Sequence, residues 1–294
     1  AGFVGDSLRY NISPLEWYQF GFPALTPEEK ASWAGTGTMY EFQRRANPPG
    51  ARELLNDKRK FYRAYRQFFS HELFDRDELA ADPSPVQGLL ARHDRLVFKD
   101  ATGNCGASIL IRPTSELDAM TLVDQMRESG HDMVESFVRQ HDELNALSPS
   151  GVNTVRIFTL IDQTGHYKVL GCRLRISVNS PVDNLAAGNL AAPIDEHTGI
   201  VTGPGVYSDI TRSPETRHPV TGVAIKGFQV PFWAETLEMV ETASLLHPEN
   251  SSIGWDVVIT PQGPSLIEGN HDWCKLVWQL PVRRGLKARL AETR

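Results

Sequence analysis

The stretch from residue 254 to residue 270 constrains the fold more than any other part of this chain. Its first half alternates apolar and polar residues, which predicts a β-strand, and a Pro-Gln-Gly turn leads into a second strand. If the connecting loop holds three residues, with Thr260 paired to Pro264, Asp256 lies directly opposite Glu268. Asn270 then follows two positions later on the same face, because side chains alternate with a period of two.

These three side chains suggest a cation site. Directly opposed carboxylates repel each other unless a positive charge lies between them. Asp256, Glu268 and Asn270 offer oxygen ligands, which suit Mg²⁺ or Mn²⁺ when phosphate oxygens complete the coordination. The alternative interpretation is a solvated hairpin whose carboxylates face water.

Composition restricts the class of protein. The chain has 294 residues, of which 40% are hydrophobic, enough for one large domain or two modest ones. Its net charge of −6 argues against a nucleic-acid partner. Cys105, Cys172 and Cys274 are far apart and odd in number, which favours reduced thiols. We see no membrane span and no signal peptide, and we therefore expect a cytoplasmic protein.

Apolar stripes predict two helices, over residues 51–69 and 231–247. A capping box at residues 115–118 predicts the start of another helix.

The first phosphate-binding candidate is a predicted hairpin. A buried strand ends at Lys99, and a loop with Gly103 and Gly106 leads into a second strand. Glycine-bearing turns can present backbone N–H groups to phosphate, and Lys99 would add a point charge. The pattern does not fit a Walker A motif, and ordinary hairpins also carry glycines.

Residues 133–138 predict a strand that turns polar abruptly at residues 139–142. Such a strand end can serve as a hinge between lobes, with an adenine ring held against its backbone. An ordinary strand end is the alternative.

Three arginines are predicted on one sheet face. Strands over residues 154–162 and 167–178, joined at Thr164-Gly165, place Arg156 opposite Arg173, with Arg175 on the same face. Arginine suits bidentate binding of phosphate or carboxylate. Salt bridges to acids elsewhere in the chain are the alternative.

The order of these parts resembles the ATP-grasp superfamily, and most closely its sugar-transfer-associated branch. Over roughly residues 50–275 the resemblance rests on these phrases: Leu55-Asn56-Asp57-Lys58, the run from Val134 to His141, Val152-Asn153-Thr154-Val155-Arg156, Val182-Asp183-Asn184, His218-Pro219-x-Thr221-Gly222, Gly254-Trp255-Asp256, and Glu268-Gly269-Asn270.

The resemblance implies an α+β ATP-grasp fold, in which two α/β lobes with mainly antiparallel sheets grip ATP beside an N-terminal helical region. We expect this region over residues 1–75, packing on the core, lobe 1 over 76–138 and lobe 2 over 139–294. Homodimers are common in this superfamily.

The resemblance also implies residue roles. The phosphates would meet Lys58, Lys99 and the Gly103–Gly106 loop. The adenine slot would involve Glu135, Phe137 and Val138, and the ribose His141 or Asp142. The γ-phosphate or an acyl phosphate would be held by Arg156 and by Arg173 or Arg175. Magnesium would be bound by Asp256, Glu268 and Asn270.

The implied activity is that of an ATP- and Mg²⁺-dependent carboxylate–amine ligase. It would form an amide through an acyl phosphate, joining an amino acid or amine to a small-molecule or sugar carboxylate in polysaccharide or natural-product biosynthesis. A phosphotransferase and a weakened nucleotide-binding module are the alternatives. The second follows from a departure: Lys99-Asp100 and Gly106-Ala107-Ser108 stand where relatives usually have Lys-Pro and Gly-x-Gly.

Overall fold

A computed structural model describes residues 2–103 and 109–291. The chain forms two compact units: a smaller unit, residues 53–139, and a larger unit, residues 1–52 with 140–294. The three-part division predicted from sequence stays a prediction, although these units group residues 53–75 with the segment 76–138. The predicted contacts of Gly106 lie outside the described residues.

The described elements are the following. The helices are α1 (Phe3–Tyr10), α2 (Pro14–Gln19), α3 (Pro27–Ala31), α4 (Thr36–Ala46), α5 (Pro49–Asn56), α6 (Lys58–Tyr65), α7 (Arg76–Ala81), α8 (Ser84–Arg92), α9 (Leu122–Glu128), α10 (Asp142–Leu147), α11 (Trp233–Leu246) and α12 (Lys275–Gln279). The strands are β1 (Leu73–Asp75), β2 (Arg95–Lys99), β3 (Leu110–Pro113), β4 (Met133–Ser136), β5 (Thr154–Ile161), β6 (Tyr167–Ile176), β7 (Leu190–Ile194), β8 (Gly254–Thr260) and β9 (Gly263–Asn270).

The smaller unit is built on an antiparallel sheet with the strand order β1-β4-β2-β3. The predicted β2–β3 hairpin is confirmed. Side chains from the sheet and from α7, α8 and α9 form its core: Leu79, Val86, Leu89, Leu96, Phe98, Leu122, Met126 and Val134.

Two helix predictions for the smaller unit were wrong in detail. The helix expected over residues 51–69 is interrupted at Asp57, whose carboxylate caps α6 by accepting from the N–H groups of Arg59 and Lys60. The capping box at residues 115–118 does not start a helix, since Leu117 is extended and the Asp118 carboxylate accepts from the Met120 N–H. This local bond competes with helix formation, and α9 begins only at Leu122.

The larger unit is built on an antiparallel sheet with the order β7-β6-β5-β8-β9. Strands β5 and β8 are buried along their whole length. Helix α11 packs against this sheet and confirms the helix predicted over residues 231–247. One core cluster of the unit contains the buried rings of Phe42, Phe158, Trp273 and Trp278. Among the described residues, no helix has the length and apolar character that crossing a bilayer requires.

The β8–β9 hairpin confirms the predicted pairing of Asp256 with Glu268, but its turn differs from the prediction. Thr260 pairs with Gly263 instead of Pro264, so the loop is one residue shorter than expected. A bulge next to Asp256 adds one residue to β9 and restores the predicted register at the acids.

The β5–β6 hairpin behaves in the same way. Ile161 pairs with Tyr167, so the connection is longer than the predicted two-residue turn. A bulge after Phe158, where Phe158 pairs with Gly171 and Thr159 with Val169, changes the register by one residue. As a result, Arg156 lies opposite Arg173, as the sequence predicts.

Candidate active site

The larger unit contains a buried group of charges centred on Asp256. Asp256 lies on β8 directly opposite Arg156 of β5, and its side chain is buried. Arg156 donates from Nε to Asp256 Oδ1 at 2.5 Å and from Nη2 to Oδ2 at 2.8 Å. Arg175 of β6 donates from Nη1 to Oδ2, also at 2.8 Å. The solvated-hairpin alternative is therefore wrong for Asp256.

These contacts set the protonation state of Asp256. Burial alone would raise the pKa of its carboxyl group. The charges of Arg156 and Arg175 and the hydrogen bond from Arg156 outweigh burial and hold the pKa well below its usual range. Asp256 is consequently a carboxylate across the physiological pH range.

Asp183 is a further member of this group that the sequence analysis did not single out as a site residue. Its Oδ1 accepts from Arg175 Nη2 at 2.7 Å. Its Oδ2 accepts from the backbone N–H of Thr154 at 2.7 Å and from the Thr154 hydroxyl at 2.5 Å. The phrase Val182-Asp183-Asn184 was the available signal, but an acid in a loop does not reveal its partner.

Glu268 and Asn270 lie beside Asp256 on the neighbouring strand. Glu268 is paired with Asp256 in register. Asn270 donates from Nδ2 to the Gly254 carbonyl and to Glu268 Oε1, each at 3.3 Å. We call Arg156, Arg175, Asp183, Asp256 and Glu268 the acid–arginine cluster.

The oxygen donors of Asp256, Glu268 and Asn270 fit a hard divalent cation. Oδ2 of Asp256 already accepts from Arg156 and Arg175, so the lone pair that remains for a cation is on Oδ1. Within residues 2–103 and 109–291, however, no group of three or more His, Cys, Asp or Glu side chains is arranged to hold a metal by itself. A cation at these residues would need further oxygens from its ligand, which is how Mg²⁺ is commonly bound with nucleotide phosphates.

Arg173 does not join the acid–arginine cluster. Its side chain is buried, and its Nε donates to the Trp278 carbonyl at 3.0 Å. Nη2 donates to the same carbonyl, near the end of α12, and Nη1 donates to the Cys172 carbonyl at 2.7 Å. Burial lowers the pKa of Arg173 to about 10. Cations are favoured at helix carboxyl ends, so this arginine stabilises the end of α12.

In the smaller unit, Lys99 forms an ion pair with Glu135. The side chain of Glu135 is buried, and the imidazole Nε2 of His71 lies 3.9 Å from its carboxylate. Burial would raise the pKa of Glu135, but the charge of Lys99 and the hydrogen bond from it lower the pKa. Burial lowers the pKa of His71 to about 4, so this imidazole is neutral at pH 7. Glu135 therefore presents a carboxylate to the lysine predicted to bind phosphate.

Lys58 is held against the loop that follows β2. Its Nζ donates to the Gly103 carbonyl at 2.5 Å and to the Asp100 carbonyl at 3.3 Å. The Lys58 N–H also donates to the Ala101 carbonyl. The predicted lysine and the first glycine of the predicted loop are thus brought together.

Phe137 and Val138 follow β4 in the smaller unit and are half-buried. The guanidinium of Arg95 lies 3.9 Å from the centre of the Phe137 ring. His141 and Asp142 belong to the larger unit, in which His141 caps α10 and its N–H donates to the Ile259 carbonyl at 2.7 Å. The predicted hinge segment contains the point, after residue 139, at which the chain passes from one unit to the other.

Comparison with protein families identifies the class. The family model described as sugar-transfer associated ATP-grasp matches residues 38–294. The chain belongs to this family and has the α+β ATP-grasp fold.

A search of curated proteins returned no match. Among solved structures, the chain is similar to a biotin carboxylase from Campylobacter jejuni, with 11% identity, 82% of this chain and 46% of that one covered, and a TM-score of 0.47. It is similar to the VanG D-Ala:D-Ser ligase from Enterococcus faecalis, with 12% identity, coverages of 81% and 60%, and a TM-score of 0.45. For the D-alanine-D-alanine ligase from Coxiella burnetii the values are 14%, 74%, 48% and 0.39. The chain spans about half the length of these structures.

Proposed function

We propose that this protein is an ATP- and Mg²⁺-dependent carboxylate–amine ligase that forms an amide through an acyl-phosphate intermediate. The observation that carries the proposal is the acid–arginine cluster, in which two arginines and three carboxylates meet within one sheet and its β6–β7 loop. Family membership supports the same chemistry.

The formal charge of the cluster favours a cation and an anion together. Arg156 and Arg175 contribute two positive charges, and Asp183, Asp256 and Glu268 contribute three negative ones, which leaves −1. A free phosphate would be repelled by this net charge. A divalent cation changes the net charge of the cluster to +1, which attracts a phosphate oxygen. A magnesium–nucleotide complex satisfies both requirements.

In the proposed reaction, an oxygen of the substrate carboxylate attacks the γ-phosphorus of ATP, and ADP leaves. The amine nitrogen then attacks the acyl carbon, phosphate leaves, and the amine loses a proton. Arg156 and Arg175 would neutralise negative charge on the transferring phosphoryl group. Magnesium held by Asp256, Glu268 and Asn270 would supply further charge neutralisation.

Lys58 and Lys99 are proposed to bind nucleotide phosphates. Glu135, Phe137 and Val138 are proposed for adenine, and His141 or Asp142 for ribose. The pairing of Glu135 with Lys99 supports an additional role for this carboxylate, which is to orient the lysine. For the substrates we propose an amino acid or similar amine and a sugar acid, in the cytoplasm and in polysaccharide assembly, with a homodimer as the working assembly.

The test is ADP release from Mg-ATP in the presence of candidate acid–amine pairs, with and without hydroxylamine to trap an acyl phosphate. We expect hydroxamate and amide products in wild type, and a loss of at least about 100-fold in rate for Asp256→Ala and Glu268→Ala, the size seen when groups that stabilise transition-state charge are removed. A stable phosphorylated product would indicate the phosphotransferase instead. Failure to bind Mg-ATP would contradict both enzymatic functions.

A further inference from the structure

The guanidinium of Arg175 has three nitrogen atoms that donate hydrogen bonds, and two of them already donate to carboxylates. Nη1 donates to Asp256 and Nη2 to Asp183. Its Nε is buried, and no described residue accepts a hydrogen bond from it. Buried donors without an acceptor are rare in folded proteins, and such an atom calls for a ligand or another specific explanation.

Asp183 is fastened on its own side. It follows Val182 in the loop between β6 and β7, and the buried amide of Asn189 binds this loop at three points, accepting from the Val178 N–H at 2.7 Å and donating to the carbonyls of Val182 and Asn184 at 2.8 and 2.9 Å. The Thr154 N–H and hydroxyl hold the other carboxylate oxygen of Asp183. The carboxylate that faces Arg175 therefore has a fixed position.

We propose that Asp183 is a positioning residue for Arg175. By fixing Nη2, it sets the rotation of the guanidinium and leaves Nε as the donor available to an anionic oxygen of the γ-phosphoryl group. This inference rests on the proposed function, since it needs a nucleoside triphosphate at the acid–arginine cluster. It assigns to the Val182-Asp183-Asn184 loop the discrimination between a triphosphate and a diphosphate.

The chain contains a matched control for Asp183. Asp162 accepts from the N–H and hydroxyl of Thr164 and pairs with Lys168 at 3.0 Å, so it has the same kinds of partners. Its side chain is 10% exposed, against 8% for Asp183. It lies at the opposite end of the β5–β6 hairpin from Arg156, about 20 Å away at ~3.3 Å per residue.

The experiment measures the affinity of the full chain for Mg-ADP and for the nonhydrolysable Mg-AMPPNP by calorimetry. We expect Asp183→Asn to weaken Mg-AMPPNP binding by about 10-fold or more and Mg-ADP binding by less than about 2-fold. The reason is that the variant loses the charge-assisted hydrogen bond from Arg175 Nε to the γ-phosphoryl group, which ADP does not have. Asp162→Asn should change neither affinity. Equal weakening of both nucleotides, or no change in either, would overturn the proposal.

A double-mutant cycle separates positioning from general stabilisation. Arg175→Lys keeps the charge but removes Nε, and in this background Asp183→Asn should have an effect of less than about 2-fold on Mg-AMPPNP binding. Independent, additive losses would refute action through Arg175. Suppose that wild type binds both nucleotides and forms amide, and that Asp183→Asn behaves like Asp162→Asn. This result would support the proposed function and reject the present inference. Wild type that binds neither nucleotide would reject both.

Discussion

Replacing Asp256 by asparagine tests whether the arginines determine the state of this buried carboxylate. Asparagine keeps the shape of the side chain, but it lacks the negative charge, and its NH₂ group would face the guanidinium donors. The wild-type carboxylate accepts three charge-assisted hydrogen bonds of 2.5–2.8 Å. Breaking a buried ion pair by removing one partner typically costs about 3–5 kcal/mol, and we expect Asp256→Asn to lower the free energy of unfolding by this amount at pH 7.

Tryptophan fluorescence is the appropriate probe. All six tryptophans lie in the larger unit, and Trp255 is the buried neighbour of Asp256 in sequence. Urea unfolding followed by fluorescence therefore reports on the unit that contains the acid–arginine cluster. The variant should shift the midpoint with little change in slope, since the surface exposed on unfolding is similar.

The pH dependence gives the sharper result. The folded pKa of Asp256 is lowered from the ordinary 3.8, so its stabilising contribution is fully present above about pH 4 and is lost as the pH falls through the folded value. The difference between wild type and variant should thus be constant from pH 8 to pH 5. A difference below about 1 kcal/mol at pH 7 would refute this reasoning. So would a difference that grows as the pH falls from 7 to 5, as a pKa raised by burial alone would produce.

Three further predictions concern other sites. Glu135→Gln removes the carboxylate partner of Lys99, which is predicted to bind phosphate. It should raise KM for Mg-ATP by about 10-fold and speed hydrogen exchange in β2 and β4. An unchanged KM would contradict the orienting role of Glu135. Arg173→Met should destabilise the larger unit by about 1–3 kcal/mol in urea unfolding but leave KM for Mg-ATP within about 3-fold, whereas a selective rise in KM would place it at the nucleotide. Gly254→Ala brings a Cβ within 2.6 Å of the Cβ of buried Trp273 and should lower the free energy of unfolding by about 1–3 kcal/mol. The control Gly50→Ala, whose Cβ meets nothing within 4 Å, should not lower it.

The sequence predicted the positions of the strands and the faces of their side chains well. Alternation alone placed Arg156, Arg173 and Arg175 on one face and Asp256 opposite Glu268, and the structure confirms both pairings. It did so although both turn lengths were predicted incorrectly. Periodicity reports which face a residue occupies, but it does not report where a ladder gains an extra residue, because a bulge depends on how the strand packs.

The destinations of long side chains were not predictable from the same patterns. Arg173 shares a sheet face with Arg156, yet its guanidinium binds the carbonyl of Trp278, 105 residues further along the chain. The strand order places β4 beside β2, so the carboxylate of Glu135 meets Lys99, a contact that the sequence pattern does not predict. Such contacts follow from tertiary packing, which a local pattern does not contain. The roles of these residues toward a nucleotide remain predictions.

The two bulges have a practical consequence for comparing this chain with distant homologues. Each lies between a hairpin tip and the charged residues, so the length of the tip and the pairing of the charges are independent of each other. A homologue that lacks the bulge but has one more residue at the tip would present the same acids in the same geometry. An alignment anchored on the tip of β8–β9 would then misplace Glu268 by one position and assign its place to an apolar neighbour, whereas an alignment anchored on Asp256 would match it correctly.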